Sequence, residues 1–275
     1  MDILSRFRRR SVAPRPSGPL AGRPVARGPE GRKVYAFGDI HGCDDLLTAL
    51  LDSILVQPGR QPPLLVFLGD YVDRGPDSRN VIEILIDLQA GFPDARFLCG
   101  NHEEAMLRFL GDPTQGPAWF EFGGRETLLS YGIAPPRERS AETCAITQAA
   151  LLAALPESHL NFLSSLEDSV ELGDFFFVHA GVRPDVDLGE QSRRDLLWIR
   201  EPFLNDDRRL SKIIVHGHTP AEAPHADHRR VGVDTGAYAT GVLTALELDG
   251  ERQSFIQARR SGPDIAISWL EVLAD

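Results

Sequence analysis

The sequence predicts an α/β protein in which parallel strands alternate with crossover helices, followed by strands of a second sheet. Three observations carry this. Apolar runs at 33–37, 64–68 and 95–99 are rich in β-branched, aromatic and aliphatic residues, and each stops at a glycine. A helical repeat of apolar residues follows each of the first two runs. Runs of strand length then return beyond residue 168, after a stretch punctuated by glycine and proline.

Taken in order, the first run is followed by Leu46, Leu47, Leu50, Leu51, Ile54 and Leu55 at helical spacing, with Pro58-Gly59 and Pro62-Pro63 as the stop. The second precedes Val81, Ile82, Ile84, Leu85, Ile86 and Leu88, a helix that ends near Gly91-Phe92-Pro93. A third strand and a helix from about Glu103 to Leu110 complete the series. Short β-loop-α units of this kind favour parallel strands with function at their carboxyl ends. Residues 111–168 read as a helical insertion that walls the site. Trp119, Phe120, Phe122, Leu128, Leu129 and Tyr131 suggest one amphipathic helix, and 148–155 and 156–166 suggest two more. Strand candidates follow at 170–178, 212–216, 230–234, 241–248 and 252–257, and imply the second sheet.

Composition narrows the class. At 275 residues and 42% hydrophobic, the chain can bury one substantial core. No run approaches the roughly 18 consecutive apolar residues of a membrane span, and the first residues lack the apolar segment of a secretory signal. Cys43, Cys99 and Cys144 are too few and too scattered for a disulfide framework or a zinc site, so a cytoplasmic location is expected and packing roles suffice for them. Residues 1–32 form an expected flexible basic arm ahead of a domain over 33–275. With Lys33 included, nine Lys or Arg stand there against Asp2 and Glu30, a net +7, which leaves −18 of the total −11 on the rest. An anionic body disfavours nucleic acid as a partner. The arm itself, rich in proline, glycine and arginine, reads as a solvated tail, with Ile3, Leu4 and Phe7 keeping open a contact with an anionic partner.

The strand ends carry the chemistry. Gly-Asp-Ile-His-Gly at 38–42, Gly-Asp-Tyr-Val-Asp-Arg-Gly at 69–75 and Gly-Asn-His-Glu at 100–103 place metal-ligand residue types one island per run. Hydrolysis of a phosphate ester at neutral pH requires a nucleophile made from water and neutralised phosphoryl oxygens, and a pair of metals does both. Asp39 and His41 can aim at one cation, Asp70 can bridge to a second, and Asn101 offers a neutral oxygen. Later apolar runs end in His179 and in His216-Gly217-His218, which supply further imidazoles.

This order of motifs, continued by Val-His-Ala-Gly, Leu-Leu-Trp-Ile-Arg-Glu and Gly-His-Thr-Pro, resembles the calcineurin-like metallophosphoesterases from about Tyr35 to Ala237. Within them it resembles the serine/threonine phosphoprotein phosphatases, bacteriophage lambda phosphatase and bacterial relatives among them. The resemblance implies a two-sheet β-sandwich core flanked by helices. It implies Asp39, His41 and Asp70 at one metal and Asp70, Asn101, His179 and His218 at the other, with His216 in a supporting or packing role. His102 would be the general acid, oriented by Asp73, and Arg74 and Arg200 would grip phosphate oxygens. Two divalent ions are expected, manganese first, with iron or zinc also suited to these ligands. A metal-bound hydroxide would then attack in line without a phosphoenzyme.

The expected substrate is a phosphorylated protein or small phosphoester, a serine/threonine protein phosphatase being the leading reading. Hydrolysis of diadenosine polyphosphates is the alternative, because symmetrical diadenosine tetraphosphatases are similar in motifs, although they tend to carry alanine where this chain has Asp73. A non-catalytic phosphate-binding module is a third reading, which retention of His102 and Asp73 opposes. Asp234 reads as a strand-end residue, and Arg125, after Phe122-Gly123-Gly124, as a helper of the site.

Overall fold

Alternate residues of the first strand serve two different cores, and that alternation sets the architecture. The structure, a computed structural model, describes residues 26–56 and 61–272. In β1 (Val34–Phe37), Val34 and Ala36 face one cluster while Tyr35 and Phe37 face another, as the period of two in a strand requires. The chain continues through α1 (Asp44–Leu55), β2 (Leu64–Phe67), α2 (Ser78–Gly91), β3 (Arg96–Phe97) and α3 (Asn101–Gly111), the expected alternation. Register is parallel, with Val34 opposite Leu64, Phe37 opposite Phe67, and Phe67 opposite Phe97. The rings of Phe37, Phe67 and Phe97 stack across the strands at 4.5 and 5.1 Å, which holds the three carboxyl ends level. The Pro58-Gly59 stop lies outside the described residues. Asp77 begins α2 by accepting the Asn80 amide at 3.0 Å.

The insertion holds α4 (Gly116–Trp119), a π turn over Phe120–Gly124, α5 (Arg125–Ser130), α6 (Ala141–Ala154) and α7 (Glu157–Ser164). One helix over 119–131 is therefore not what forms. Gly123 breaks it at φ 125°, with room there for no β-carbon, since one would lie 2.8 Å from Arg74 Cγ. Helix α6 starts well before the expected 148, because Ser140 caps it by accepting the Thr143 amide.

The second half supplies β4 (Ser169–Leu172), β5 (Phe175–Val178), α8 (Arg193–Trp198), α9 (Glu201–Leu204), β6 (Ile213–His216), β7 (His225–Ala226), β8 (Arg230–Gly232), α10 (Ala237–Thr240), β9 (Val242–Asp249), β10 (Arg252–Ser261) and β11 (Asp264–Glu271). The single strand expected over 170–178 is an antiparallel hairpin instead, turned at Gly173 with φ 60°. The late strands also divide. One sheet runs β11-β10-β9-β1-β2-β3 and the other β4-β5-β6-β8-β7, so β9 to β11 extend the first sheet, with β9 antiparallel to β1.

Between the sheets lie Val34, Ala36, Val66 and Leu68 against Phe175, Phe177 and Val215. Tyr35, Phe37 and Phe67 on the opposite face pack with Leu46, Leu50, Val81 and Leu85 of α1 and α2. Phe176, Val178 and Ile214 pack outward with Leu196 and Phe203 of α8 and α9. The fold is thus a two-sheet sandwich with helices on both outer faces, as the sequence reading anticipates. Of the expected basic arm, residues 1–25 lie outside the described residues. Ala26 is buried between the sheets, and the Arg27 amide donates to Asp174 at 2.8 Å. Among the described residues no helix is long and apolar enough to cross a membrane.

Candidate metal centre

Parallel strands of both sheets deliver their carboxyl ends to one place. Asp39 and His41 follow β1, Asp70 follows β2, Asn101 opens α3 after β3, His179 follows β5 and His218 follows β6. All six are buried. Asp70 stands between the sheets' contributions, its Oδ2 3.5 Å from His41 Nε2 and its Oδ1 3.4 Å from His179 Nε2. Asn101 Oδ1 lies 2.7 Å from His179 Nε2 and 2.8 Å from His218 Nδ1. Two groups of donor atoms result, each within 4.8 Å: His41, Asp70 and His102, and Asp70, His179 and His218. Asp39 stands outside both groups, where its two oxygens accept the His218 amide at 3.1 and 3.0 Å.

Backbone carbonyls aim the imidazoles. His41 Nδ1 is 2.8 Å from the Val72 carbonyl and His179 Nδ1 is 2.9 Å from that of Leu68, so each turns Nε2 to the centre. The loops themselves are strained. Among the described residues, the non-glycine positions with positive φ are His41, Asp70, Asp73, Arg74 and His218, and every one was singled out by the sequence as a site residue. Such conformations cost about 1–3 kcal/mol each and persist where surrounding contacts impose them. Glu103 imposes that of Asp70: its carboxylate accepts the amides of Asp70, Tyr71, Val72 and Gly100 at 2.8, 2.7, 3.2 and 2.9 Å.

Burial decides the electrostatics. It pushes the Asp39 and Asp70 carboxyls well above the usual range, with neighbouring carboxylates adding to it. Asp234, whose Oδ1 accepts the Gly236 amide, is pushed up to about 6 by burial. Burial also pushes His179 down to about 3 and His218 to about 2. A pocket that disfavours carboxylate charge and keeps imidazoles neutral is a donor set short of cations, and its oxygen and nitrogen atoms suit divalent ions. Those ions supply Lewis acidity and an activated water when bound.

Next to this set, His102 Nδ1 is 2.8 Å from Asp73 Oδ2, and both side chains are fully buried. His102 Nε2 has no hydrogen-bond partner among the described residues. Trp119 Nε1 and Thr127 Oγ1 donate to Asp73 at 3.0 and 2.6 Å, yet burial outweighs them and raises its carboxyl to about 7. Arg74 Nη1 lies 3.4 Å from His41 Nε2, and Arg200 Nε donates to His218 Nε2 at 3.1 Å. Both expected phosphate-gripping arginines therefore reach the centre from different loops. Arg125 is exposed. His216 packs edge-on to Phe203 at 5.1 Å and meets Arg230 at 3.2 Å, apart from both donor groups. Sequence reasoning missed Glu103, Trp119 and Thr127; only Glu103 carried a signal, three residues into α3 beside two site residues.

The family model for calcineurin-like phosphoesterases matches residues 32–249, which contain every element of this centre. The chain belongs to the calcineurin-like phosphoesterases. It is a metal-dependent phosphoesterase with two buried groups of metal-ligand residues. This phosphoesterase is 29% identical over 240 residues to bis(5'-nucleosyl)-tetraphosphatase PrpE [asymmetrical] of Halalkalibacterium halodurans, covering 76% of the chain and 87% of that protein. The PrpE tetraphosphatase of Geobacillus thermodenitrificans is 31% identical over 237 residues, covering 78% and 89%. A crystal structure of a protein assigned as a diadenosine tetraphosphatase superposes with a TM-score of 0.59 at 21% identity, covering 86% of this chain and 100% of that one.

Proposed function

We propose that this phosphoesterase hydrolyses bis(5'-nucleosyl) polyphosphates, the alternative named from the sequence, in preference to phosphoproteins. The similarity to PrpE tetraphosphatases, extending over 78% of the chain and 89% of the relative, carries this reading. Asp39, His41 and Asp70 would hold one divalent ion and Asp70, Asn101, His179 and His218 the other. The guanidinium groups of Arg74 and Arg200 bind non-bridging phosphate oxygens, which planar paired donors suit. His102 holds a proton on Nε2 for the leaving oxygen, and Asp73 fixes the ring from Nδ1. The anionic phosphate chain between the two arginines raises the affinity of that imidazole for its proton.

The intact dyad favours a second reading. Expulsion of an alkoxide from a phosphoserine or phosphothreonine needs a proton donor, whereas expulsion of a polyphosphate, a far weaker base, needs one less. His102 and Asp73 at 2.8 Å supply it, so phosphomonoester hydrolysis belongs to the same site.

The deciding experiment offers manganese-loaded protein diadenosine tetraphosphate and a phosphothreonine peptide, with Asp70→Asn as control and products separated by anion exchange. AMP and ATP in equal amounts are expected from the dinucleotide, as unequal cleavage of a four-phosphate chain requires. Turnover of the phosphopeptide alone would replace this reading with the second.

A further inference from the structure

Large hydrophobic side chains are exposed at few described positions. Both aromatic ones among them, Trp198 at 37% and Tyr238 at 38%, lie against histidines of the metal centre. The Tyr238 ring is 5.2 Å from His41 and that of Trp198 6.4 Å from His218, both edge-on. Tyr238 is already engaged by Arg74, whose guanidinium carbon lies 5.1 Å from the ring centroid. Trp198 is built differently. Its Nε1 donates to Glu104 Oε2 at 2.8 Å, and Glu104 is held in turn by Arg108 at 3.2 Å and Arg193 at 3.4 Å. Phe122 lies nearly parallel to the indole at 5.6 Å and stacks on the His102 ring at 3.9 Å.

The indole is thus fixed in rotation, backed by an aromatic ring and partly open to solvent. Two residues on, Arg200 reaches His218 from the same segment. A phosphate-gripping guanidinium and an open stacking ring therefore share one short stretch of chain, from the last residue of α8 to the residue before α9. A nucleotide presents this combination of groups, an anionic phosphate tethered to an aromatic base.

We infer that Trp198 is the stacking residue for a nucleobase of the substrate, an assignment that rests on the dinucleotide reading above. The phosphate chain is held by Arg74 and Arg200, and the base adjoining the cleaved phosphate lies on the indole. The ring is ordered before substrate arrives, so little side-chain entropy is lost on binding. Stacking of this kind tolerates any base, because each has a π face. Adenine and guanine dinucleotides are both accepted on this account.

The test compares wild type, Trp198→Ala and Trp198→Phe, manganese-loaded, on diadenosine tetraphosphate and a phosphothreonine peptide, a monoester with no aromatic ring beside its phosphate. In Trp198→Ala, kcat/KM for the dinucleotide falls about tenfold more than that for the monoester, mainly through KM. Trp198→Phe, which keeps a stacking face but not the Nε1 bond to Glu104, recovers most of the loss. An independent readout is tryptophan emission. ATP quenches it in the wild type more than inorganic tripolyphosphate does, and Trp198→Phe abolishes the difference, since Trp119 and Trp269 are buried. Equal losses on both substrates, or no loss in Trp198→Ala, overturn the stacking assignment alone. A wild type that cleaves the monoester and leaves the dinucleotide intact overturns the proposed function and this assignment with it.

Discussion

Glu103 holds Asp70 by its backbone: Oε2 accepts the Asp70 amide at 2.8 Å and the Gly100 amide at 2.9 Å, tying the loop after β2 to the loop after β3. Oε1 accepts the next two amides, those of Tyr71 and Val72. All of these donors meet one fully buried carboxylate, whose proton affinity burial raises to about 7 against the pull of the four amides. Replacement by glutamine would set an amide NH2 against two of the N–H groups whichever way it turned. The expected cost for Glu103→Gln is about 2–4 kcal/mol, with two buried donors left unsatisfied. Thermal unfolding of the variant checks it, and a change of Tm under about 2 °C would show that the clamp is not needed.

That clamp also marks the boundary of what the sequence reveals. The ligand-bearing loops were legible because each motif is contiguous and ends an apolar run, so β1, β2 and β3 announce both the strand and its cargo. The centre's other half was legible for the same reason, in the runs that end at His179 and His218. Contacts remote in sequence were not. Trp119 and Thr127 reach Asp73 from 46 and 54 residues away, and no local pattern encodes that pairing. The hairpin at Gly173 was hidden because 170–178, apolar at both ends, reads as one strand, although Gly173-Asp174 is itself a turn pair. Placement of β9 beside β1 depends on antiparallel pairing between distant strands, which periodicity does not carry.

The dyad predicts a dependence on the leaving group. If His102 gives its proton to the departing oxygen, His102→Ala loses most where that oxygen is most basic. Expected losses in kcat are about 10²- to 10⁴-fold on an alkyl phosphate such as phosphothreonine, and markedly less on p-nitrophenyl phosphate. Asp73→Asn, which weakens orientation without removing the imidazole, falls between the variant and wild type. Equal losses across a series of aryl and alkyl phosphates would remove His102 from proton transfer.

Gly123 joins the insertion to the site. With φ 125°, and a β-carbon position 2.8 to 3.0 Å from Arg74 and Asp73 atoms, it admits no side chain without a shift. Its carbonyl accepts the Arg74 amide at 3.1 Å, so a shift there moves the arginine. For Gly123→Ala we expect about 1–3 kcal/mol of destabilisation and a raised KM for phosphate substrates. Inorganic phosphate as a competitive inhibitor reports the second effect. A variant with wild-type inhibition and wild-type Tm would show that the turn does not place Arg74.

Metal binding should reshape the pH dependence of stability, with a sign set by two opposing groups. Burial pushes His41 and His102 well below the ordinary 6.5, His179 to about 3 and His218 to about 2. The unfolded chain takes up those protons first as pH falls, so these imidazoles add stability as pH rises towards 6.5. Burial raises Asp39 and Asp70 well above 3.8 and Asp73 and Glu103 to about 7. The folded chain then keeps protons that the unfolded chain has lost, and stability falls as pH rises through these values. Below about 6.5 the two contributions oppose each other; above it only the carboxyls still titrate. Metal-free protein is therefore expected to lose Tm between about pH 6.5 and 8. Of those protons, a divalent ion takes the place of the ones on Asp39 and Asp70 and binds more tightly as they leave. The gap in Tm between manganese-loaded and chelator-treated protein should accordingly widen across that interval. A gap that stays constant or narrows would show that the buried carboxyls are not what the metal neutralises.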